Sequence, residues 1–263
     1  MLKWWRSTQP EQGRAPSQDR TPTGGQAPAT PAPVVIVAAT RMDEATFWQS
    51  SNLGTSLGRA RLDGSLSWNI TFANQEGLPV VYNRALATLP DEALVVFVHD
   101  DVFIYDYFLA ARVREGLAIF DVIGVVGHPA PHPLHVGWSA WRPADASTGM
   151  VVDESPKSGA IEHSPDGRME LTYFGPSPQP VKLLDGVFLA ARVGTLRRSG
   201  AAFDPRFDFH FYDLDFCRTC LAAGVRLGTW PIALSHASLG SFGTPVWEAG
   251  LAEYREKWRG SAL

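Results

Sequence analysis

Two acidic clusters in apolar surroundings are the residues of this chain most suited to chemistry. The first, His99–Asp101, directly follows the apolar run Leu94–Val98, and the second contains Asp213 and Asp215 among aromatic side chains. A strand that ends in two adjacent carboxylates presents them at the edge of a sheet, where they suit a divalent cation that carries a phosphorylated ligand. The second cluster opens a predicted helix and supplies a separate carboxylate.

The first cluster and a distant histidine together predict a metal site. Asp101 follows one predicted strand and His236 follows another. Hard cations prefer carboxylate oxygen and Mn²⁺ also accepts imidazole, so we expect both residues to ligate Mn²⁺ or Mg²⁺. The alternatives are a helix cap formed by Asp100 and Asp101 and an ordinary hydrogen-bonded histidine. One aspartate would suffice as a cap, and adjacent carboxylates repel, which favours a cation.

The second cluster predicts a general base. Asp213 and Asp215 stand at the start of a helix, where the helix dipole stabilises negative charge. That position does not explain the aromatic residues around them, which are Phe207, Phe209, Phe211, Tyr212 and Phe216. A surrounding of low polarity raises the pKa of a carboxylate and therefore its basicity. We expect one of the two aspartates to act as the base, and the sequence leaves open which one.

Weaker patterns surround these clusters. Asp185 and Gly186 suit either the start of a strand or a loop that meets an acceptor hydroxyl. The loop 236–243 is rich in small residues, so its backbone N–H groups, including those of Gly240 and Ser241, suit a diphosphate. A plain turn is the alternative. Trp138, Trp141 and Trp247 either stack on sugar rings or belong to the core.

The elements that position these residues alternate between strand and helix. Such alternation favours an α/β fold with a single Rossmann-like, mainly parallel sheet flanked by helices, whose ligands bind at the carboxyl ends of the strands. We predict strands over Val34–Ala39, Leu66–Phe72, Leu94–Val98, Val122–Val126, Leu183–Arg192, Val225–Trp230 and Ile232–Leu234. We predict helices over Asp43–Leu57, Leu78–Leu89, Phe108–Ile119 and Asp213–Ala223.

The chain divides by composition. Residues 1–33 are rich in Pro, Gly, Gln, Ser and Thr, which predicts disorder because such a segment buries too little apolar surface. Residues 34–263 are predicted to form one domain. Its stretch 128–182 has little periodicity and is expected to be an insert on the acceptor side, with a hairpin that includes Met169–Phe174.

Composition limits the partners. A net charge of −4 argues against a dominant nucleic-acid surface. The longest apolar runs are far shorter than a membrane span, and no signal peptide is recognisable, so we expect a cytoplasmic protein without a transmembrane segment. Trp4 and Trp5 beside Lys3 and Arg6 leave peripheral membrane contact open.

The chain has two cysteines, Cys217 and Cys220, and no second cysteine pair, which favours inert core thiols over a zinc or redox site.

The order of several short motifs resembles a known family. The chain is similar to inverting glycosyltransferases of the family 2 type, and most closely to their bacterial glycosyltransferase-like branch. The matching segments cover most of residues 34–258 and are Val81–Ala85, His99–Val102, Asp185–Leu189, Phe203–Phe207, Tyr212–Cys217, His236–Ser238, Gly240–Phe242 and Tyr254–Trp258.

The resemblance implies a GT-A fold and roles for particular residues. Asp101 would bind the metal and His236 matches a histidine that ligates metal in some related enzymes. Asp100 would contact the ribose of the nucleotide-sugar donor. The other residues that would bind the donor are His99, Asn83, Gly240 and Ser241. Asp213 falls where the family places its catalytic base, although Tyr212 replaces the usual glutamate before it, which keeps Asp215 as the alternative.

The resemblance also implies a reaction. Asp213 would deprotonate an acceptor hydroxyl that attacks the anomeric carbon in a single displacement, so the configuration inverts. The partners would be a nucleotide-sugar donor and a saccharide, lipid-linked or protein acceptor. The alternatives are a non-catalytic saccharide- or partner-binding protein and a metal-dependent hydrolase. A nucleotidyltransferase is disfavoured because Ala38–Met42 lacks a Gly-rich phosphate loop.

Overall fold

The computed structural model describes residues 32–143, 149–163, 168–238, 240 and 242–261. The predicted disorder of residues 1–33 lies outside the described residues, apart from Ala32 and Pro33. From Ala32 onward the chain forms one compact unit.

The described residues form helices and strands in the following order. The helices are α1 (Glu44–Ser50), α2 (Asn52–Ala60), α3 (Leu78–Thr88), α4 (Leu109–Ile119), α5 (Val193–Ser199), α6 (Tyr212–Ala222) and α7 (Pro245–Lys257). The strands are β1 (Val34–Ala39), β2 (Leu66–Thr71), β3 (Leu94–Val98), β4 (Val102–Ile104), β5 (Val122–Gly124), β6 (Val126–His128), β7 (Ala140–Trp141), β8 (Val151–Val152), β9 (Ser158–His163), β10 (Glu170–Gly175), β11 (Gln179–Pro180), β12 (Leu183–Leu184), β13 (Phe188–Arg192), β14 (Leu227–Thr229) and β15 (Leu234–His236).

The central sheet has seven strands in the order β11-β14-β5-β13-β3-β1-β2. Strand β1 pairs in parallel with β2 and β3, and every residue of β1 and β3 is buried. Such continuous apolar runs are typical of strands covered on both faces. Strand β13 instead runs antiparallel between β3 and β5. Strand β11 is also reversed relative to its neighbour β14, whereas the other five strands share one direction, so the sheet is mainly parallel, as predicted.

A second sheet corrects the prediction of a single sheet. It follows the order β12-β6-β9-β15-β4, with β10 added on β9. Two segments predicted as continuous strands, Val122–Val126 and Leu183–Arg192, are each divided where the chain passes from one sheet to the other. Strand β13 enters the central sheet from the edge at which β3 ends, since Phe188 lies opposite Val98. Its antiparallel direction follows from that route.

The helices agree with the prediction in most places. Helices α3, α4 and α6 have nearly the predicted bounds, whereas the helix predicted over Asp43–Leu57 is divided at Ser51. Ser51 is extended, and its hydroxyl accepts a hydrogen bond from Gly54 at 2.8 Å, so it caps α2. Helices α5 and α7 were not predicted. No helix among the described residues has both the length and the apolar character to cross a membrane.

Apolar layers cover both faces of the central sheet. Alternate residues of β1 point to opposite faces, so Val35 and Val37 belong to one layer, whereas Val34 and Ile36 belong to the other. The first layer includes residues of α3, α6 and α7, and the second includes residues of α1, α2 and α4. Cys217 and Cys220 are fully buried free thiols of the first layer, as predicted.

The stretch 128–182 carries β7 to β11 among its described residues. The predicted hairpin strand at Met169–Phe174 is present as Glu170–Gly175, which pairs antiparallel with Ser158–His163. Through β9 this stretch joins the second sheet beside β15. The elements of the insert therefore lie next to the strand that ends at His236.

Candidate functional site

The candidate site lies where the chain passes between the two sheets. His99–Asp101 connects β3 of the central sheet to β4 of the second, and Asp185–Val187 connects β12 of the second sheet to β13 of the central one. Antiparallel pairing of β15 with β4 places His236 opposite Val102, next to Asp101. The fold thus assembles side chains that are distant in sequence.

Three of these side chains are spaced for a cation. Potential ligand atoms of His99, Asp101 and His236 all lie within 4.8 Å of one another. Nε2 of His236 is 3.3 Å from Oδ1 of Asp101. The sequence predicted Asp101 and His236 as the ligands, and the structure adds His99. The spacing of His99 and Asp101 was the signal that could have found it, because alternate residues of an extended segment share a side.

The charges of this group suit metal binding. Burial alone would raise the pKa of Asp101, but His236 and His99 hold it at about 2. Burial lowers the pKa of His99, and His236 lowers it further. Burial opposes protonation of His236 as well, but its hydrogen bond to Asp101 and the charge of that carboxylate raise its pKa overall. At neutral pH the group therefore contains an ionised carboxylate beside a neutral imidazole.

Tyr212 sets the tautomer of His99. The hydroxyl of Tyr212 donates to the carbonyl oxygen of Gly186 at 2.9 Å. It has no second proton, so its 2.8 Å contact with Nε2 of His99 requires that Nε2–H donates. A neutral His99 then carries its free lone pair on Nδ1. Such partners behind a ligating histidine fix its ring and its tautomer.

The donor set fits a divalent transition metal. Two imidazoles and one carboxylate suit Mn²⁺, which accepts nitrogen and oxygen ligands, whereas Mg²⁺ prefers oxygen ligands alone. A cation at these atoms would replace the hydrogen bond between Asp101 and His236. Of the two predicted cations, the chemistry of the side chains favours Mn²⁺.

Asp213 is held in the first turn of α6 as a carboxylate of raised basicity. Its Oδ2 accepts a hydrogen bond from the backbone N–H of Gly186 at 3.0 Å. Burial raises the pKa of Asp213 to about 7, and the nearby charge of Asp185 adds to the effect. Phe211, two residues before Asp213, has a φ angle of 65°, which is strained for a residue with a side chain. That conformation starts α6 at Tyr212 and directs its first turn to the site.

Gly186 permits the close approach of these groups. A Cβ at this position would lie 2.3 Å from the hydroxyl oxygen of Tyr212 and 2.8 Å from Cβ of Asp213. Its carbonyl and its N–H bind Tyr212 and Asp213, respectively. Gly186 therefore connects Tyr212, the hydrogen-bond partner of His99, to Asp213, the carboxylate of raised pKa.

Two adjoining cavities open at this place. The first has a volume of about 300 Å³, and its lining includes His99, His236, Asp185 and Asp213. The second has a volume of about 530 Å³ and lies at the carboxyl end of β1, where its lining includes Thr40, Arg41, Met42, Asn74, Gln75, Asp100 and Asp208. Phe209 lines both cavities.

Comparisons with known proteins concern the fold. No family model and no curated protein sequence matches the chain. Among solved structures, the chain is similar to GalNAc-T7 with UDP, GalNAc and Mn²⁺, with a TM-score of 0.50 and 10% identity over 89% of this chain and 49% of that one. The mannosyltransferase PcManGT from Pyrobaculum calidifontis, in complex with GDP-Man and Mn²⁺, has a TM-score of 0.45 and 15% identity over 90% and 67%.

A third similar structure, A197 from STIV, has a TM-score of 0.44 and 13% identity over 78% of this chain and 86% of that one. The chain has the GT-A fold. This confirms the predicted α/β fold class. In the GT-A fold of this chain, both cavities lie at the ends of the parallel strands, where ligands of α/β sheets bind.

The structure separates the two aspartates of α6. Asp213 lines the first cavity, whereas Asp215 is completely buried outside it. Nζ of Lys257 is 2.7 Å from Oδ1 of Asp215, and Nε1 of Trp258 donates to the same oxygen at 2.9 Å. Asp215 therefore joins α6 to the end of α7. The closing motif Tyr254–Trp258 owes part of its pattern to this contact.

The other predicted donor residues have different places. Asp100 lines the second cavity and Gly240 the first, while Ser241 lies outside the described residues. Asn83 lines neither: its Nδ2 donates to the carbonyl of Phe203 at 2.7 Å, and its Oδ1 accepts from the N–H of Phe203 at 3.1 Å. Asn83 thus connects α3 to the segment before α6, which is a structural role.

Proposed function

We propose that this protein is a metal-dependent glycosyltransferase that moves a sugar from a nucleotide-diphosphate donor to an acceptor hydroxyl with inversion. One observation carries the proposal. His99 and His236, two of the three proposed metal ligands, line one cavity together with Asp213, a carboxylate of raised pKa, and that cavity adjoins a second one of suitable size for a nucleoside. The GT-A fold supports it, since GalNAc-T7, a structure of similar fold, was solved with UDP, GalNAc and Mn²⁺.

The second cavity is the proposed nucleoside site. Asp100 lies in its lining, where a carboxylate accepts hydrogen bonds from ribose hydroxyls. Arg41 and Gln75, which contact each other at 3.4 Å, lie in the same lining with Asn74 and supply donors and acceptors for a base edge. Phe209 lies between this site and the first cavity, so the diphosphate and sugar of a bound donor would pass beside its ring.

The first cavity is the proposed reaction site. His99, Asp101 and His236 would hold a divalent cation, which would supply positive charge for the diphosphate that leaves the sugar. Tyr212 keeps His99 oriented through its hydrogen bond to Nε2. Because Arg41 is the one Lys or Arg among the described residues that line the two cavities, side chains alone provide little charge for a leaving diphosphate.

Asp213 is the proposed base. Its carboxylate takes the proton of the acceptor hydroxyl while that oxygen attacks the anomeric carbon and the bond to the diphosphate breaks. A pKa of about 7 matches this task, because a base is most effective when its pKa lies near the working pH. Asp215 is engaged by Lys257 and lies outside the cavity, which favours Asp213 of the two. Attack from the side opposite the diphosphate gives inversion.

The first test is donor binding. Isothermal titration of UDP-, GDP-, dTDP- and CMP-sugars with Mn²⁺, on the wild type and on Asp101→Asn, is expected to show metal-dependent binding of one nucleotide class that the variant loses. Glu170→Gln, an exposed carboxylate outside both cavities, is the matched control. If none of the donors binds the folded wild type, the proposal fails. If a donor binds without turnover by any acceptor, the protein belongs to the non-catalytic alternative.

A further inference from the structure

We propose that the first cavity takes a neutral saccharide as acceptor, with a sugar ring on the indole of Trp138, and that it excludes anionic acceptors. This inference rests on the proposed function and deepens it, since the position of the acceptor is defined by Asp213. Three observations carry it: how Trp138 is held, where it lies relative to the base, and the charge of the cavity.

Trp138 is held on two sides. Its Nε1–H donates to Oδ2 of Asp185 at 2.6 Å, and the ring of Phe174 packs against it at 4.8 Å between centroids with an angle of 83°. The other oxygen of Asp185 accepts from the N–H of Val187 at 2.9 Å, so the anchoring carboxylate is itself fixed. The indole is half-buried and lines the cavity. A rigid aromatic side chain of this kind binds a ligand at little cost in conformational entropy.

Trp138 lies close to the base along a short chain of contacts. Asp185 binds the indole, and the next residue, Gly186, donates its N–H to Asp213 at 3.0 Å. Trp138 and Asp213 line the same cavity, so a ring on the indole is placed to present a hydroxyl group to Asp213. Trp138 and Phe174 both belong to the stretch 128–182, so the proposal gives this stretch a part in binding the acceptor.

The charge of the cavity opposes an anionic acceptor. Its described lining contains Asp185 and Asp213, no Lys or Arg, and four histidines: His99 and His236, which are proposed to hold the cation, and His163 and His210, whose pKa values burial lowers. An acceptor carboxylate or phosphate would lie beside these aspartates without a Lys or Arg partner, and burial of a charge that lacks such a partner is costly. Aromatic rings instead form much of the wall, including Phe209 and Phe242, which are 51% and 50% exposed. An aromatic lining with a few polar groups suits an uncharged ring.

Acceptor binding tests the proposal directly. Saturation-transfer NMR and calorimetry, with Mn²⁺ and the nucleoside diphosphate of the donor present, would compare cellobiose, maltose and chitobiose with glucuronides and hexose phosphates. We expect at least one neutral sugar to bind and the anionic sugars to bind at least tenfold more weakly. Tighter binding of the anionic sugars, or binding of no neutral sugar while the donor binds normally, would overturn the proposal.

Substitutions locate the acceptor. Trp138→Ala is expected to raise the acceptor KM at least tenfold with the donor Kd unchanged, whereas Trp138→Phe, which keeps an aromatic ring, recovers part of the affinity. Trp68→Ala, on β2 outside the cavity, is the matched control. Asp185→Asn keeps an oxygen that can accept from the indole N–H but removes a negative charge. It should therefore narrow the difference in affinity between neutral and anionic sugars. An unchanged acceptor KM in Trp138→Ala would refute the role of the indole.

These measurements separate the two proposals. Failure of the wild type to bind any donor would remove the proposed function itself. Normal donor binding with transfer of the sugar to an anionic acceptor, but with no neutral sugar bound, would leave the proposed function in place and remove the inference about the acceptor.

Discussion

At the scale of single residues, the two aspartates of α6 show what a sequence can and cannot decide. Residues two apart on a helix point about 200° apart, so one of Asp213 and Asp215 has to face away from any site that the other faces. The sequence identifies the pair. The choice depends on Lys257 and Trp258, which bind Asp215 from a distant part of the chain. Local patterns contain no information about that contact.

The pH dependence of activity follows from Asp213. A base acts in its deprotonated form, and burial together with Asp185 raises the pKa of Asp213 to about 7. With Mn²⁺ saturating, kcat/KM is therefore expected to rise with pH and to level off above about 7. Removal of the neighbouring charge in Asp185→Asn should move this rise to lower pH. A profile that is flat between pH 5 and pH 8 in the wild type would show that another group is the base.

Asp213 also affects stability. Its pKa is raised from 3.8 to about 7, so between these values the folded state binds more protons than the unfolded state, and stability falls as the pH rises through this window. Asp213→Asn removes the cost of a buried charge, about 1.4 kcal/mol for each pKa unit. We expect the variant to be inactive yet more stable than the wild type at pH 8, with little gain at pH 4.

Urea unfolding at both pH values measures this difference. Glu170→Gln, which removes an exposed carboxylate, should give no such dependence. A variant of Asp213 that is destabilised at pH 8 would mean that the carboxylate contributes more through its hydrogen bond to Gly186 than it costs through burial.

At the scale of elements, the apolar strands β1 and β3 of the central sheet were predictable, whereas β15, predicted over Ile232–Leu234 but present over Leu234–His236, and the runs that pass between the two sheets were not. β1 and β3 are continuous apolar runs, and both agree with the prediction to the residue. The run Leu183–Arg192 was predicted as one strand, but the structure divides it at Asp185–Val187 because its halves pair with different sheets. The Asp-Gly pair at positions 185 and 186 is a local signal for a break, but the pairing partners that place the two halves in different sheets are distant in sequence.

One missed helix did carry a signal. The side chain of Thr244 accepts a hydrogen bond from the N–H of Trp247 at 3.2 Å, and Pro245 occupies the first turn of α7. A threonine followed by proline is a typical start of a helix. This helix matters for the site, since Lys257 at its end binds Asp215.

The connection between β12 and β13 gives a prediction at this scale. In Gly186→Ala the new methyl group would overlap Tyr212 and Asp213, so α6 or the connection has to shift. Displacement of a catalytic group by about 1 Å costs on the order of 100-fold in rate, and overpacking costs about 1–3 kcal/mol in stability. We expect kcat to fall by about that factor, with a lower melting temperature.

Gly58→Ala is the matched control, because a Cβ there meets no atom within 4 Å and lies on α2. It should keep full activity and melt no lower than the wild type. If Gly186→Ala is as active as Gly58→Ala, the close approach of Gly186 to α6 is not required for catalysis.

At the scale of the whole molecule, the site depends on both sheets being assembled. His99 follows β3 of the central sheet, whereas His236 ends β15 of the second sheet. The unfolded chain cannot hold these residues together, so a cation that binds the group stabilises the folded state by mass action. At a free concentration of 100 times its Kd, a cation is expected to add about 2.7 kcal/mol.

Thermal melting tests this coupling between the sheets. Mn²⁺ should raise the melting temperature of the wild type by several degrees, EDTA should reverse the rise, and Mg²⁺ should have a smaller effect because two of the three side chains offer nitrogen. His236→Ala and His99→Ala should each abolish most of the rise, although His99 follows a strand of the central sheet and His236 ends a strand of the second. His132→Ala, a histidine that does not belong to the group, should keep it. If one of the first two variants retains the full shift, the cation binds to one sheet alone and the group does not act as a unit.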